Sequence, residues 1–280
     1  MREIPLIVSA EEDGINAQAF LKRHGFSHRA IIKLKYGGAL TRGGELLRTV
    51  DTLRAGDVVS AVLPDGGNAE PNPDIQAAAA YEDEDVIVFD KPPFVPVHPS
   101  IRHRTDTLAN LYEAMYPDSA FRPVHRLDRN TSGLCVCAKN KFSASALAGN
   151  VSKKYYAVVC GDILESGVID LPIGRVSDSL IKRTVTADGQ NAVTLYKPVL
   201  RTNGKTLLEL ELKTGRTHQI RVHMAHIGYP LCGDDLYGGD CSEIGRQALH
   251  CGAVTFVSPV SGKRADVVSD IPPDMRRLLE

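Results

Sequence analysis

Hydrophobic positions along this chain switch between a helical and a strand period, and the switches divide it into short elements. Ile15, Ala19, Phe20 and Leu21 suggest a short amphipathic helix, and Ser27 is placed to cap a second helix through Ile31, Ile32 and Leu34. Gly37-Gly38 follows that helix, Arg42-Gly43-Gly44 predicts a turn, and Gly56-Asp57-Val58-Val59 predicts a turn entering a strand. Val86-Ile87-Val88-Phe89 is a continuous apolar run, a buried strand that Lys91-Pro92-Pro93 ends. Leu108, Leu111, Tyr112 and Met115 return to helical spacing, with Thr105 or Asp106 as cap and Pro117 as stop. A buried strand from Leu134 to Ala138, a helix within Lys139 to Asn150 and a strand from Lys153 to Gly161 come next. Leu208-Glu209-Leu210-Glu211-Leu212 alternates strictly, one face dry and one wet. Thr214 to His223 turns through Gly215 into a helix that Gly228 and Pro230 close, and strand-like Leu249 to Val257 with a turn at Pro259–Gly262 completes the core before a terminal helix over Met275–Leu279.

Residues 1–63 have a character of their own and 64–73, rich in glycine and proline without periodicity, read as a linker. Residues 74–280 then form the main domain. With 280 residues, 43% of them hydrophobic, the chain can bury a sizeable core. A net charge of -1 excludes a uniformly basic nucleic-acid binder, so any such contact must come from clustered charge. One cluster is visible: Lys22, Arg23, His24, Arg29, Lys33 and Lys35 occur without an intervening acid.

Six cysteines show no C-x-x-C pair and fall mostly in apolar runs, which predicts buried, reduced thiols. His218, His223 and His226 lack the ligand spacing of zinc, and no phosphate-binding or dinucleotide glycine pattern occurs, so no metal and no cofactor are expected. The N-terminus has no signal-peptide core and no apolar run approaches a membrane span. A cytoplasmic monomer is expected.

The chemically suggestive stretch is Val124-His125-Arg126-Leu127-Asp128-Arg129-Asn130-Thr131-Ser132-Gly133-Leu134. Short polar side chains and a glycine follow Asp128, and apolar residues flank the stretch, so a carboxylate is presented on a firm loop at a strand end. By itself this pattern also suits an ordinary turn with Asp128 capping or paired to an arginine. His-Arg-Leu-Asp-x-x-Thr-Ser-Gly, however, resembles the signature of the RluA-type family of RNA pseudouridine synthases. Lys91-Pro92 with His98-Pro99, Lys153-x-Tyr155-x-Ala157, and Thr214-Gly215-Arg216-x-His218-Gln219-Ile220-Arg221-x-His223 with Gly233-Asp234-x-x-Tyr237-Gly238 resemble further family motifs in order. Tyr229 departs from the family's histidine. The first 63 residues resemble the αL RNA-binding motif, with Arg42-Gly43-Gly44 in place of its Asn-Gly turn and Gly14-Ile15-Asn16 in place of its Arg-Leu-Asp start.

The resemblance implies an α+β catalytic fold with a mixed, mainly antiparallel sheet and central cleft, preceded by a small RNA-binding module. It implies isomerisation of uridine to pseudouridine in structured RNA, ribosomal RNA ahead of transfer RNA, with Asp128 attacking the sugar or taking its proton. Arg126 would fill the space of the flipped nucleotide, Tyr155, rather than Tyr156, would stack on the base, and Arg221 would pair with Asp128. Ile220 would wall the site, with Arg216, His218, Lys22, Arg29, Lys33 and Lys35 as further RNA contacts. Two other classes share parts of the pattern: an N-glycosidic hydrolase, which needs a second carboxylate for water, and a non-catalytic RNA-binding or ribosome-assembly factor.

Overall fold

The computed structural model describes residues 3–37, 40–62, 69–117, 119–176 and 181–280. Gly38 and residues 64–68 of the linker lie outside the described residues, as do the side chains of Arg29 and Lys33.

Near the N-terminus, β1 (Glu3–Ile7), α1 (Ala17–Arg23), α2 (His28–Gly37), β2 (Leu40–Arg42), β3 (Glu45–Leu46) and β4 (Val58–Val62) build a four-stranded sheet in the order β1-β4-β2-β3. The expected cap is present, since Ser27 Oγ accepts from the Ala30 N–H at 3.3 Å. Asn16 caps the first helix in the same way, accepting from Ala19 N at 2.8 Å. Phe20, Leu21, Ile31, Leu34, Leu53 and Val59 form a small core of their own. Phe142, from a later helix, completes that core and lies 5.1 Å from the Phe26 ring. Beyond the linker's undescribed part, Asn72 N donates to Asn110 O and Asn110 Nδ2 to Glu70 O, so Glu70 and Asn72 are tied to a helix.

The rest of the chain supplies β5 (Ala78–Glu82), β6 (Val86–Lys91), α3 (Leu108–Met115), β7 (Arg122–Pro123), β8 (Ser132–Ala138), α4 (Lys141–Leu147) and β9 (Ser152–Cys160). Then come β10 (Gly167–Asp170), β11 (Ile173–Arg175), β12 (Arg183–Val185), β13 (Val193–Thr202), β14 (Lys205–Leu212), α5 (Gln219–His226), β15 (Leu249–Val257), β16 (Arg264–Val268) and α6 (Pro273–Arg276). Ten of these strands form one sheet, β10-β13-β14-β9-β15-β8-β6-β5, with β16 on β15 and β7 on β8. Of its pairings only β8 with β15 is parallel, so the sheet is mixed and mainly antiparallel, as the family resemblance implies.

Two local expectations need correction. The cap of α3 is Thr107 rather than Thr105 or Asp106. Asp106 instead contacts His103 Nδ1 at 2.6 Å, and Thr107 shares Asn110 in a capping box. The terminal helix begins earlier, at Pro273, and tightens to a 3-10 turn at Arg277–Leu279.

At the centre lies β8, with all seven residues buried between partners on both sides. Strands covered on both faces need continuous apolar sequence, which Leu134-Cys135-Val136-Cys137-Ala138 supplies. Its parallel contact with β15 is unusually close: Gly133 faces Cys251 with φ +105°, and a Cβ there would lie 2.3 Å from Cys251 O. No side chain fits, because backbone rather than a movable group blocks it. Gly133→Ala is expected to lower stability by roughly 1–3 kcal/mol or more through overpacking and backbone strain, read as a fall in Tm. Gly43→Ala, at a hairpin glycine with nothing within 4 Å of its Cβ position, should cost less.

Candidate active site

The register across three strands brings the sequence motifs together. Cys251 of β15 pairs with Gly133 on one side and with Tyr155 of β9 on the other. The loop that runs into β8 therefore presents Asp128 beside the row that carries Tyr155, and α5 brings Arg221 to Asp128. A cleft of about 840 Å³ opens here, lined by Asp128, Tyr155, Arg126, Ile220, Arg216, His218 and Arg221. Tyr156, on the opposite strand face, packs near Met275 and Leu278 instead. Lys22 and Lys35 are exposed on the N-terminal helices, outside the cleft lining.

Asp128 is the lining's only carboxylate among the described residues, against Arg126, Arg129, Lys153, Arg183, Arg216 and Arg221. Here is the clustered positive charge that a chain of net charge -1 needs for an anionic substrate. Asp128 Oδ2 accepts from Arg221 Nη1 at 3.2 Å and is 3.8 Å from His218 Nε2; its side chain remains 27% exposed. Arg221 is held from behind: Nε and Nη2 donate to Asp234 Oδ2 and Oδ1, each at 2.7 Å, and Asp234 is fully buried. Such a fork fixes the plane of the guanidinium and aims its remaining nitrogen. Burial opposes the charge on Arg221, but the hydrogen bonds and charges of Asp234 and Asp128 outweigh it and raise its pKa.

His218 adopts the left-handed conformation (φ 58°) as N-cap of α5. The Tyr237 hydroxyl accepts from the Arg183 N–H at 3.0 Å and lies 2.9 Å from His218 Nδ1. Burial holds His218 below the ordinary histidine range despite Asp128. A neutral ring can accept Tyr237's proton at Nδ1 and carry its own on Nε2, on the side of Asp128. Tyr155 is 6% exposed, and burial, with the nearby Cys251 thiol, pushes its phenol well above the usual range. It is a neutral phenol in the resting site.

The loop that presents Asp128 is anchored through its backbone. Lys91, fully buried, donates from Nζ to Pro92 O and Val95 O at 2.9 Å and to Arg129 O at 3.2 Å. Burial pulls it down to about 7, yet three carbonyls need three N–H donors, which only the ammonium has. Arg246 Nη1 donates to Asn130 O at 3.3 Å while Asp274 grips its Nε and Nη2 at 2.7 and 3.0 Å. Gln247 donates to Thr131 Oγ1 at 3.2 Å, and Ser132 Oγ meets His250 Nδ1 at 3.0 Å. His125 Nε2 accepts from Val136 N at 3.3 Å, and burial drives its pKa down to about 3, so it is neutral. Successive residues from Arg129 to Ser132 are thus tied to buried partners.

Over residues 85–226 the chain matches the RNA pseudouridylate synthase family. It is 41% identical over 273 residues to an uncharacterized RNA pseudouridine synthase, YjbO, of Bacillus subtilis, an alignment covering 91% of this chain and 95% of the relative. It is 38% identical over 304 residues to ribosomal large subunit pseudouridine synthase D of Pseudomonas aeruginosa, covering 99% and 93%. A solved structure, human RNA pseudouridylate synthase domain containing 1, superposes with TM-score 0.59 at 26% identity over 74% of this chain and 89% of that one. The chain belongs to the RNA pseudouridylate synthase family.

As an RNA pseudouridine synthase it isomerises uridine in RNA, and its fold is the mixed-sheet catalytic fold of that family. Neither of the two other classes is favoured by these relatives. A second carboxylate does stand in the pseudouridine synthase site, Asp234, but both its oxygens are taken by Arg221 and it has no exposure with which to handle water. Several residues of this site carried no assigned role in the sequence: Asp234, Tyr237, Arg183, Arg246 and Lys153, whose Nζ donates to Val151 O at 2.8 Å. Asp234 and Tyr237 lie in a quoted motif, whereas nothing local in the sequence marks Arg246 or Arg183. Asp234→Ala leaves Arg221 buried without its partner, which should cost roughly 3–5 kcal/mol of stability. Asp234→Asn keeps the volume, so a folded protein with a kcat well below wild type and little change in RNA affinity is expected; parallel melting, binding and turnover assays check both variants.

Proposed function

We propose that the substrate is large-subunit ribosomal RNA and that Asp128 is the catalytic carboxylate. The observation that carries the second part is a partly exposed carboxylate at the floor of a basic cleft, facing an arginine that a buried acid holds in place. The first part is supported by relatives named ribosomal large subunit pseudouridine synthase D in Xanthomonas campestris and Pseudomonas aeruginosa.

A uridine inside folded RNA reaches Asp128 only after leaving its stack, at a cost of a few kcal/mol. Arg126, exposed at the cleft and without an acidic partner among the described contacts, is suited to the vacated space. The flipped base then lies on Tyr155 and Ile220, both under 7% exposed. Asp128 either attacks the sugar carbon, breaking its bond to ring N1, or stabilises the sugar cation as that bond breaks and takes its proton; uracil turns, its C5 bonds to the sugar carbon as any bond to Asp128 breaks, and C5 loses one proton while N1 gains one. Arg221 and the His218 Nε2–H stabilise the carboxylate when it leaves again. Because Tyr155 rests as a neutral phenol, it serves first as a packing surface. A proton taken from the ring carbon would have to follow loss of its own.

Residues 1–63 are proposed to add RNA affinity through Lys22, Arg29, Lys33 and Lys35, and the enzyme is proposed to work in the cytoplasm as a monomer. Among the described residues no helix is long and apolar enough to cross a membrane.

Asp128→Asn is expected to remain folded and to bind RNA, since phosphate contacts come from basic groups, yet to form no detectable pseudouridine. If Asp128 served only as a turn residue, asparagine would replace it without loss. Mapping pseudouridines in cells with and without the gene should show sites missing from large-subunit ribosomal RNA; losses confined to transfer RNA would overturn that part. Tyr155→Phe should slow turnover more than Tyr156→Phe, compared on the same RNA. For the N-terminal unit, Lys22→Glu with Lys35→Glu should weaken binding across sequences and flatten the slope of log affinity against log salt by about one per lost phosphate contact; an unchanged slope would reject the role.

A further inference from the structure

Among the described residues only Phe94, Asn203 and His218 have positive φ without being glycine. Asn203 occupies the turn between β13 and β14, where asparagine tolerates the left-handed region, and His218 belongs to the active site. Phe94, at φ 69°, has neither excuse: a bulky side chain there is strained and has no polar atom to compensate. Nor is its ring hidden, since 48% of the residue is exposed. For folding alone, glycine would serve better.

The surrounding loop enforces this conformation. Lys91 Nζ gathers the carbonyls of Pro92 and Val95, on either side of Phe94, and joins them to Arg129 O beside Asp128. Strain that a buried ammonium holds in place, next to a catalytic loop, points to use. The Arg129 guanidinium lies 6.0 Å from the Phe94 ring centroid, at cation–π range, and Arg129 and Pro96 both line the cleft. An exposed aromatic face with an arginine therefore stands at the margin of the cleft that takes the extruded uridine.

We propose that Phe94 is a stacking platform for an unstacked RNA base next to the target uridine. Extrusion deprives the neighbouring bases of a stacking partner, and aromatic and guanidinium faces are what proteins offer to such bases. The inference rests on RNA being the substrate, not on which RNA it is. Phe94 acts on binding rather than on bond making, so it is a positioning residue.

The test uses the full chain. Phe94→Gly is expected to melt at or above the wild-type temperature, because the strain is released. Its KM for total RNA from cells lacking the enzyme should rise roughly tenfold, within the range that one base stack contributes, while kcat is kept. Phe94→Trp should retain KM, and since the chain has no tryptophan its emission reports on this position alone. Adding an oligouridylate should quench it, and an abasic oligomer of the same length and charge should not. An unchanged KM for Phe94→Gly, a fall in its Tm, or equal response of Phe94→Trp to the two oligomers would overturn the proposal. Depleting ribosomal RNA from the substrate and following wild-type turnover tests the ribosomal assignment separately.

Discussion

One guanidinium between two carboxylates organises this site. Arg221 is 6% exposed and keeps its guanidinium charge there, so its burial has to be compensated, and Asp128, which still faces water, is only one of two carboxylates that do so. Asp234 supplies the compensation from the buried side through two short bonds, leaving Nη1 for Asp128. Geometry separates the two pairs: 2.7 Å to Asp234 against 3.2 Å to Asp128, full burial against partial exposure. A carboxylate proposed to attack or take a proton cannot be locked in a fork of its own. It needs a counter-charge that stays put when it leaves.

The same division of labour recurs in the loop. Asp128 has little hold on its surroundings apart from Arg221 and His218, while its successors are bound through backbone or hydroxyl atoms to Lys91, Arg246, Gln247 and His250. These partners come from β6 and from the entry to β15, the strands on either side of β8. Gly133 permits the second approach, since only a residue without Cβ lets the β8 and β15 backbones meet at that point. Precision at the carboxylate is thus produced by sheet register, not by contacts of the carboxylate itself.

Much of this was legible in the sequence. The buried strand after the loop, the alternating strand at Leu208–Leu212 and the Ser27 cap each follow from local pattern and appear in the structure. Tyr155 and Tyr156 are distinguished by strand parity, and the structure turns Tyr155 to the cleft. Residues 162–207 gave no reading, although β10 to β13 lie there, because these strands are short, amphipathic or edge-placed and their polar residues obscure the period. Arg246 was invisible for a different reason. Its partners are Asn130, 116 positions away, and Asp274, 28 positions on, and a single sequence carries no mark of a contact that only the fold creates.

Net charge and local field need not agree, and this protein shows how they part. Acids are as numerous as bases over the chain, but two acids behind the site residues are paired: Asp234 with Arg221 and Asp274 with Arg246. The cleft lining keeps six cations against one carboxylate. Such a lining attracts phosphates, while Tyr155 and Ile220 offer an apolar surface that suits a base rather than a backbone. On the proposed mechanism, the affinity that binds any RNA and the contacts that select a flipped base therefore belong largely to different residues, with Arg221, one of the six cations, committed to Asp128.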